Sequence, residues 1–218
     1  MRRVIQFSTG NVGRHSLRAI IGRPDLELVG VHAAGPEKIG RDAAQLCGLD
    51  EPTGIIATDD IDALVALNAD CVVYTSQGET RPMEAIEQMS RFLAAGTNVV
   101  GTSMVWLVAP RHAEEWLREP LQRACEAGNT SLYVNGIDPG FANDLLPLAL
   151  AGTCQSIQQI RCMEIVDYAT YDSAAVMFDV MGFGKPLDDV PMLLQPGVLS
   201  LAWGSVVRQL AAGLGVSL

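Results

Sequence analysis

Short runs of apolar, β-branched residues alternate with amphipathic stretches through the first two thirds of the chain. Residues 3–7, with Val4, Ile5 and Phe7, read as a buried strand. Residues 13–21 then place Leu17, Ile20 and Ile21 on one helical face. A second strand spans 26–32, introduced by Arg23-Pro24-Asp25, and Ile55 and Ile56 suggest a short third. Asp59 or Asp60 caps a helix reaching Leu67, with Ile61, Leu64 and Val65 inward. Residues 69–74 form a strongly apolar strand. The helix over 82–95 aligns Met83, Ile86, Met89 and Leu93, and Gly96 is its C-cap. Residues 98–101 and 131–135 read as further strands. The helix between them, over 112–127, is kinked or interrupted near Pro120 and ended by Gly128. Asn143 can cap a helix through Leu150, with Pro147 tolerated in its first turn.

This alternation implies parallel pairing through right-handed crossovers. The expected fold class is α/β. A doubly wound parallel Rossmann sheet of roughly six strands would cover residues 1–150, followed by a partial α+β second domain over 151–218. In that last third, 156–166 alternates in part (Ile157, Ile160, Cys162, Glu164, Val166) and reads as a long strand, and 198–214 reads as a helix. One strand and one helix rarely support themselves, so this second domain is expected to be incomplete.

Composition narrows the partners. Hydrophobic residues make up 49% and charged residues 18% of the 218, which suits a globular core and excludes a disordered chain. Fifteen Lys and Arg against 25 Asp and Glu leave a net charge of −10. The basic residues are scattered, so no nucleic acid partner is expected. The longest apolar runs, 145–151 and 198–203, are far too short for a membrane span. Met1-Arg2-Arg3 leads into a strand rather than a secretory signal. Cys47, Cys71, Cys125, Cys154 and Cys162 form no C-x-x-C pair and read as reduced thiols of a cytoplasmic protein. His15, His32 and His112 lack the spacing of zinc ligands, so no metal site is expected.

The chemistry concentrates where the first strand meets the first helix, at Ser8-Thr9-Gly10-Asn11-Val12-Gly13. In a G-x-G-x-x-G loop the middle glycine admits the pyrophosphate and the last lets helix and strand pack closely. Gly10 and Gly13 hold those two places; Ser8 stands at the first. Thr9, Gly10, Asn11, Val12 and Gly13 are therefore candidate pyrophosphate ligands, against the alternative of a tight turn with no ligand. The end of the second strand, Val31-His32-Ala33-Ala34, carries no acid for a ribose 2′-OH. Arg14, Lys38 and Arg41 lie nearby and favour a 2′-phosphate, hence NADP over NAD, and His32 falls near the adenosine.

Ligands of open α/β sheets bind beyond the carboxyl ends of the strands. The loops there offer Thr75 and Ser76, then Thr102, then Asn135, as candidate ribose and nicotinamide contacts. Asp138 is the candidate catalytic residue, able to accept a proton or hold a substrate ammonium. Helix capping and turn chemistry account for the same residue types equally well. Asp167 to Asp172, with Tyr168 and Tyr171, is either a substrate-facing run or a solvated turn.

Residues 4–13, the strand Asp70-Cys71-Val72-Val73-Tyr74-Thr75 and Asn98-Val99-Val100-Gly101-Thr102-Ser103 resemble the amino-terminal domain of dihydrodipicolinate reductase. Pro36-Glu37-Lys38-Ile39-Gly40-Arg41-Asp42-Ala43 and the Asp138-Pro139-Gly140-Phe141 turn are similar to relatives of 2,4-diaminopentanoate dehydrogenase and the native amine dehydrogenases. The resemblance implies NAD(P)H binding, a second domain that closes over a small-molecule substrate and carries homodimer contacts, and hydride transfer at a carbon bearing nitrogen. Two departures stand out. The reductases carry paired histidines and a lysine, whereas residues 164–189 hold only Lys185. The amine dehydrogenases use a carboxylate after the fifth strand, where this chain reads Ser103-Met104-Val105-Trp106-Leu107. The expected function is NAD(P)-dependent oxidation or reduction of a small carbonyl, imine or amine. The alternative is a non-catalytic nucleotide-binding module or truncated fragment.

Overall fold

Val4, Ile5, Gln6 and Phe7 are all buried, and they make the strand β1 (Arg2–Phe7) the centre of the molecule's single sheet. The structure is a computed structural model describing Met1–Leu218. It divides into two compact units. The first joins Met1–Met104 to Glu114–Asn135, and the second joins Val105–Ala113 to Gly136–Leu218. The segment 136–150, counted with the sheet from its sequence, packs within the second unit.

The first unit is a six-stranded sheet in the order β3-β2-β1-β4-β5-β6, every pairing parallel. Its remaining strands are β2 (Leu26–His32), β3 (Ala57–Thr58), β4 (Cys71–Tyr74), β5 (Asn98–Gly101) and β6 (Leu132–Val134). This is the doubly wound Rossmann arrangement. Register carries one row across the carboxyl edge: His32 pairs with Phe7, Phe7 with Tyr74, Tyr74 with Gly101, and Gly101 with Val134. Strand order reverses at β1, between β2 and β4, the place where such sheets open a crevice.

The helices are α1 (Asn11–Ile21), α2 (Ala43–Cys47), α3 (Ile61–Val65), α4 (Pro82–Ala94) and α5 (Glu115–Gly128). Leu17 of α1 and Ala43 and Cys47 of α2 close over Val31, Ala33 and Ala57. Helix α2 has no counterpart in the expected elements. Asp42 makes it: its carboxylate accepts from the Ala44 N–H at 2.8 Å and, on the far side, from the Gly54 N–H at 2.7 Å and the Thr53 hydroxyl at 3.0 Å. Burial works against the charge on Asp42, but these donors outweigh it and hold the carboxyl below its ordinary pKa. The third strand lies two residues later than expected. Ile56 is 53% exposed and bridges antiparallel to Asp42, leaving Ala57–Thr58 to pair with β2.

One helix also differs. Helix α5 runs unbroken through Pro120, and its left-handed terminal residue is Asn129, with φ +51°, rather than Gly128. Gly128 is required for a different reason. A Cβ there would overlap the Leu93 carbonyl, so the glycine lets α5 lie directly on α4.

The second unit contains α6 (Leu145–Ala151), α7 (Val198–Gly213), a π-helical turn at Ala175–Val180 and several 3-10 turns, but no strand. The expected strand over 156–166 does not form. No other strand in this unit offers it a ladder, and Met163 is 76% and Ile165 93% exposed. Asp144, not Asn143, caps α6. Asn143 turns instead to the Gly140 N–H and to Asp138. No helix is long and apolar enough to cross a membrane.

The close α4–α5 approach gives a direct test. Gly128→Ala forces a methyl into the Leu93 backbone and is expected to lower stability by about 2 kcal/mol, read as a lower urea midpoint with an unchanged slope.

Candidate functional site

The turn leaving β1 pivots on Ser8, whose φ is +77°. A non-glycine residue in this left-handed region costs about 1–2 kcal/mol. The fully buried side chain of Gln6 holds it there. Gln6 Nε2 donates to the Ser8 carbonyl at 2.8 Å and to Thr75 Oγ1 at 2.9 Å, while Oε1 accepts from the Ser16 hydroxyl at 2.6 Å. Thr75 donates onward to the Phe7 carbonyl at 3.0 Å, and the Ser8 N–H donates to the His32 carbonyl at 3.1 Å. One amide thus ties β1, β4 and α1 into a single turn, with β2 joined through the backbone. Neither Gln6 nor Ser16 was singled out from the sequence. Their one signal is a glutamine inside an otherwise apolar strand.

The two loop glycines differ in their surroundings. A Cβ on Gly13 would overlap the Ser8 carbonyl, so only glycine lets α1 start against the turn. A Cβ on Gly10 would meet nothing nearer than Ser8 Oγ, at 4.0 Å. Gly10 therefore faces open space at the amino end of α1, where it is the N-cap and supplies no side-chain cap. A helix start of this kind favours an anion. Thr9 is buried, whereas Asn11 and Val12 are exposed in the first turn. Lys38 brings its ammonium to 3.2 Å from the Thr9 carbonyl, so one of the three basic residues noted in the sequence is held at the loop itself.

Ser8, Thr75, Thr102 and Asn135 each follow the strand-end row and so stand at one level of the carboxyl edge. Thr102 N–H donates to the Tyr74 carbonyl at 3.3 Å and Asn135 N–H to the Gly101 carbonyl at 2.9 Å. The Thr75 hydroxyl is engaged within the turn. Ser76 is buried and accepts from Arg81 at 3.2 Å; the Asn135 amide donates to the Tyr133 hydroxyl at 2.9 Å. Glu79 reaches across from the β4–α4 loop to accept from the Met104 N–H at 2.8 Å.

His32 closes β2 with its ring stacked on Phe7, centroids 3.9 Å apart and planes 5° apart. Only 6% of the residue is exposed, and its Nδ1 has no hydrogen-bond partner. Burial lowers its pKa to about 4; Arg81 adds to this, while Asp59 and Glu84 oppose it.

In the second unit, Asp138 follows the β6 loop through a cis peptide to Pro139. Asp138 Oδ1 accepts from the Trp203 indole N–H at 2.7 Å and from the Asn143 amide. Glu164 lines one cavity with it. Burial first, and then the neighbouring Asp138 carboxyl, raise the Glu164 pKa. Tyr168 is raised as well, by burial first and then by the charges of Glu164 and Asp138. Trp203 is thus a donor to the candidate catalytic carboxylate, and Glu164 entered the sequence reading only as part of the alternating run 156–166. Asp138 and Glu164 line a cavity of about 610 Å³ whose other walls are mostly aliphatic. Asp167, by contrast, caps a turn through the Ala169 N–H.

The buried histidine sets a pH dependence. His32 takes its proton near pH 6.5 when unfolded but only near 4 when folded. The unfolded chain therefore binds more protons across that window. The stability is fully present above about pH 6.5 and falls as pH drops toward 4. His32→Phe, which keeps a ring on Phe7, is expected to flatten this slope by about one proton, measured by urea unfolding at several pH values.

No protein-family model matches the chain. It is 41% identical to an amine dehydrogenase of Streptomyces virginiae over 214 residues, which is 98% of this chain and 59% of that protein. A 4-hydroxy-tetrahydrodipicolinate reductase of Mastigocladus laminosus is 32% identical over 63 residues, covering 29% of this chain and 23% of that one. The solved structure of an amine dehydrogenase from Mycobacterium smegmatis superposes with a TM-score of 0.63 at 22% identity, over 72% of this chain and 45% of that one, a likeness of fold. The chain thus spans less than two thirds of the length of the relatives it matches. The resemblance read from the sequence is borne out as similarity: this chain is similar to an amine dehydrogenase over nearly its whole length and to the dihydrodipicolinate reductases over part of it.

Proposed function

We propose that the chain carries the nucleotide-binding part, and a share of the substrate site, of an NAD(P)-dependent oxidoreductase acting on a small amine or the matching imine or carbonyl. The observation that carries this reading is the loop at α1. Gly13 is forced by packing, while Gly10 is forced by nothing in the protein and leaves room for a ligand. The 41% match to an amine dehydrogenase supports the substrate class.

In this reading the first turn of α1, from Thr9 to Gly13, holds the pyrophosphate through backbone N–H groups and the helix dipole. Lys38, held at the Thr9 carbonyl, adds a positive charge beside the adenosine end and favours NADP over NAD. The buried ring of His32 forms the apolar floor there. Ser76, Thr102 and Asn135 face the ribose and nicotinamide, and Thr75 shapes the turn beneath them. A bound nicotinamide supplies the two-electron carrier for hydride transfer at the carbon bearing nitrogen. Asp138, oriented by Trp203 and Asn143, holds the substrate nitrogen and takes the proton it gives up. The five free cysteines suit a reducing cytoplasm. The open edges at β3 and β6 suit a homodimer.

Two glycine variants separate binding from folding. Gly10→Ala, at a φ of −74° that alanine adopts freely, is expected to leave thermal stability intact yet weaken NADPH by about tenfold or more, as the methyl enters the anion site. Gly13→Ala is expected to lose stability and binding together. Fluorescence titration and thermal melts of both variants decide it; unchanged NADPH affinity in Gly10→Ala would remove the cofactor assignment. Lys38→Glu is expected to weaken NADPH by about tenfold while changing NADH little, and equal loss of both would place the 2′-phosphate elsewhere.

A further inference from the structure

Within the first unit, the loop that follows β5 is held against the loop that follows β4 by a hydrogen bond and by close packing. The Glu79 carboxylate accepts from the Met104 N–H at 2.8 Å. A Cβ on Gly78 would stand 2.5 Å from Met104 Cγ and 2.6 Å from Ser103 Oγ, so glycine is what lets the two loops close this far. Met104 is fully buried and has φ +60°, a left-handed conformation that methionine adopts only where its surroundings impose it. The Ser103 hydroxyl is buried as well and has no hydrogen-bond partner. Thr102, just before them, is exposed. A side chain open at the carboxyl edge is therefore carried on a strained, buried stem, and backbone strain of this kind collects where a ligand has to be met.

We propose that Glu79 is a positioning residue for the nicotinamide end of the cofactor: by holding the Met104 N–H, it fixes the loop that presents Thr102 to that ring. The inference rests on the oxidoreductase reading and goes beyond it by naming a residue that acts through the backbone rather than on the cofactor itself. A doubly wound sheet gives one mononucleotide half to each end of a dinucleotide. The phosphate loop and Lys38 belong to the β1–β2–β3 half, with the adenosine end. The loops after β4 and β5 belong to the other half, and the nicotinamide end falls to them. Met104 lies beyond the β5–β6 ladder, whose last β5 residue is Gly101, so its N–H needs an acceptor from outside the sheet. The Glu79 carboxylate supplies a charge-assisted one. Without it, Met104 loses the contact that offsets its left-handed φ and relaxes toward ordinary backbone, and Ser103 and Thr102 move with it.

The test is fluorescence titration of the intact chain with NADPH and NADH. Each is set beside its analogue without the nicotinamide ring, 2′-phospho-ADP-ribose and ADP-ribose, followed by calorimetry. Glu79→Ala is expected to weaken the dinucleotides about tenfold, the scale of one hydrogen bond to a charged group, and to leave the ring-free analogues within about twofold. The emission change of the bound nicotinamide is expected to shrink with it. Glu79→Gln keeps an acceptor oxygen without the charge and is expected to restore dinucleotide binding. Gly78→Ala drives the same loops apart by sterics and is expected to repeat the Glu79→Ala pattern; it decides the matter if Glu79→Ala shows no folding transition in a thermal melt. Equal loss of dinucleotides and ring-free analogues, or a Glu79→Gln chain as weak as Glu79→Ala, would overturn the inference. Dinucleotide binding indifferent to Glu79→Ala sinks this inference alone. An unaltered chain that binds neither dinucleotide sinks the oxidoreductase reading, and this inference with it.

Discussion

The buried amide of Gln6 is the constraint on which the nucleotide end of this protein depends. It sits in the central strand, among residues that are otherwise apolar, and its two polar atoms reach different elements. A buried amide left unpaired costs about 1–3 kcal/mol, so the strand end, the Thr75 hydroxyl and Ser16 of α1 must arrive together. Their arrival fixes the Ser8 carbonyl, and Ser8 then accepts a left-handed conformation that serine otherwise avoids. Where glycine would have made the turn through conformational freedom, this chain makes it through hydrogen bonds. The result is a stiffer loop, because the turn cannot relax without breaking buried bonds on three elements.

That explains why the loop was readable despite its missing glycine. The spacing of Gly10 and Gly13 and their place between strand and helix carry the geometry, since Gly13 answers to a steric contact and Gly10 to empty space. The sheet was readable for a similar reason. Strand β1 is buried on both faces, and Val4, Ile5 and Phe7 accordingly form a nearly continuous apolar run. What periodicity does not contain is how a polar side chain inside such a run is satisfied. Gln6 is one letter in an apolar strand, and its partners lie 2, 10 and 69 residues away.

The features that escaped the sequence share a cause: each is held by a carboxylate that reaches distant backbone N–H groups rather than by a pattern. Helix α2 is five residues long, too short to show a stripe, and exists because Asp42 caps it while gripping Thr53 and Gly54. The Glu79 contact with the β5 loop is likewise invisible until β4 and β5 are set side by side. Residues 156–166 show the opposite failure. Their alternation is real, but a strand is a property of a pair, and the unit that contains them holds no second strand. The same residues instead wall a cavity. Ile157, Ile160 and Val166, assigned by alternation to a sheet face, line it together with Glu164.

The two units differ in their local electrostatics. A chain of net charge −10 repels a dinucleotide at long range, so attraction to an anion has to be built locally. It is built from the amino end of α1 and from the Lys38 ammonium at the Thr9 carbonyl, both within a few ångströms of the loop. Short-range dipoles suit this task, since they act where solvent is excluded and contribute little to the far field. In the second unit Asp138 and Glu164 line one cavity wall, and burial together with the Asp138 charge raises Glu164. A helix start that favours an anion and a carboxyl raised by burial thus occur in one acidic chain, each set by its local surroundings rather than by the net charge.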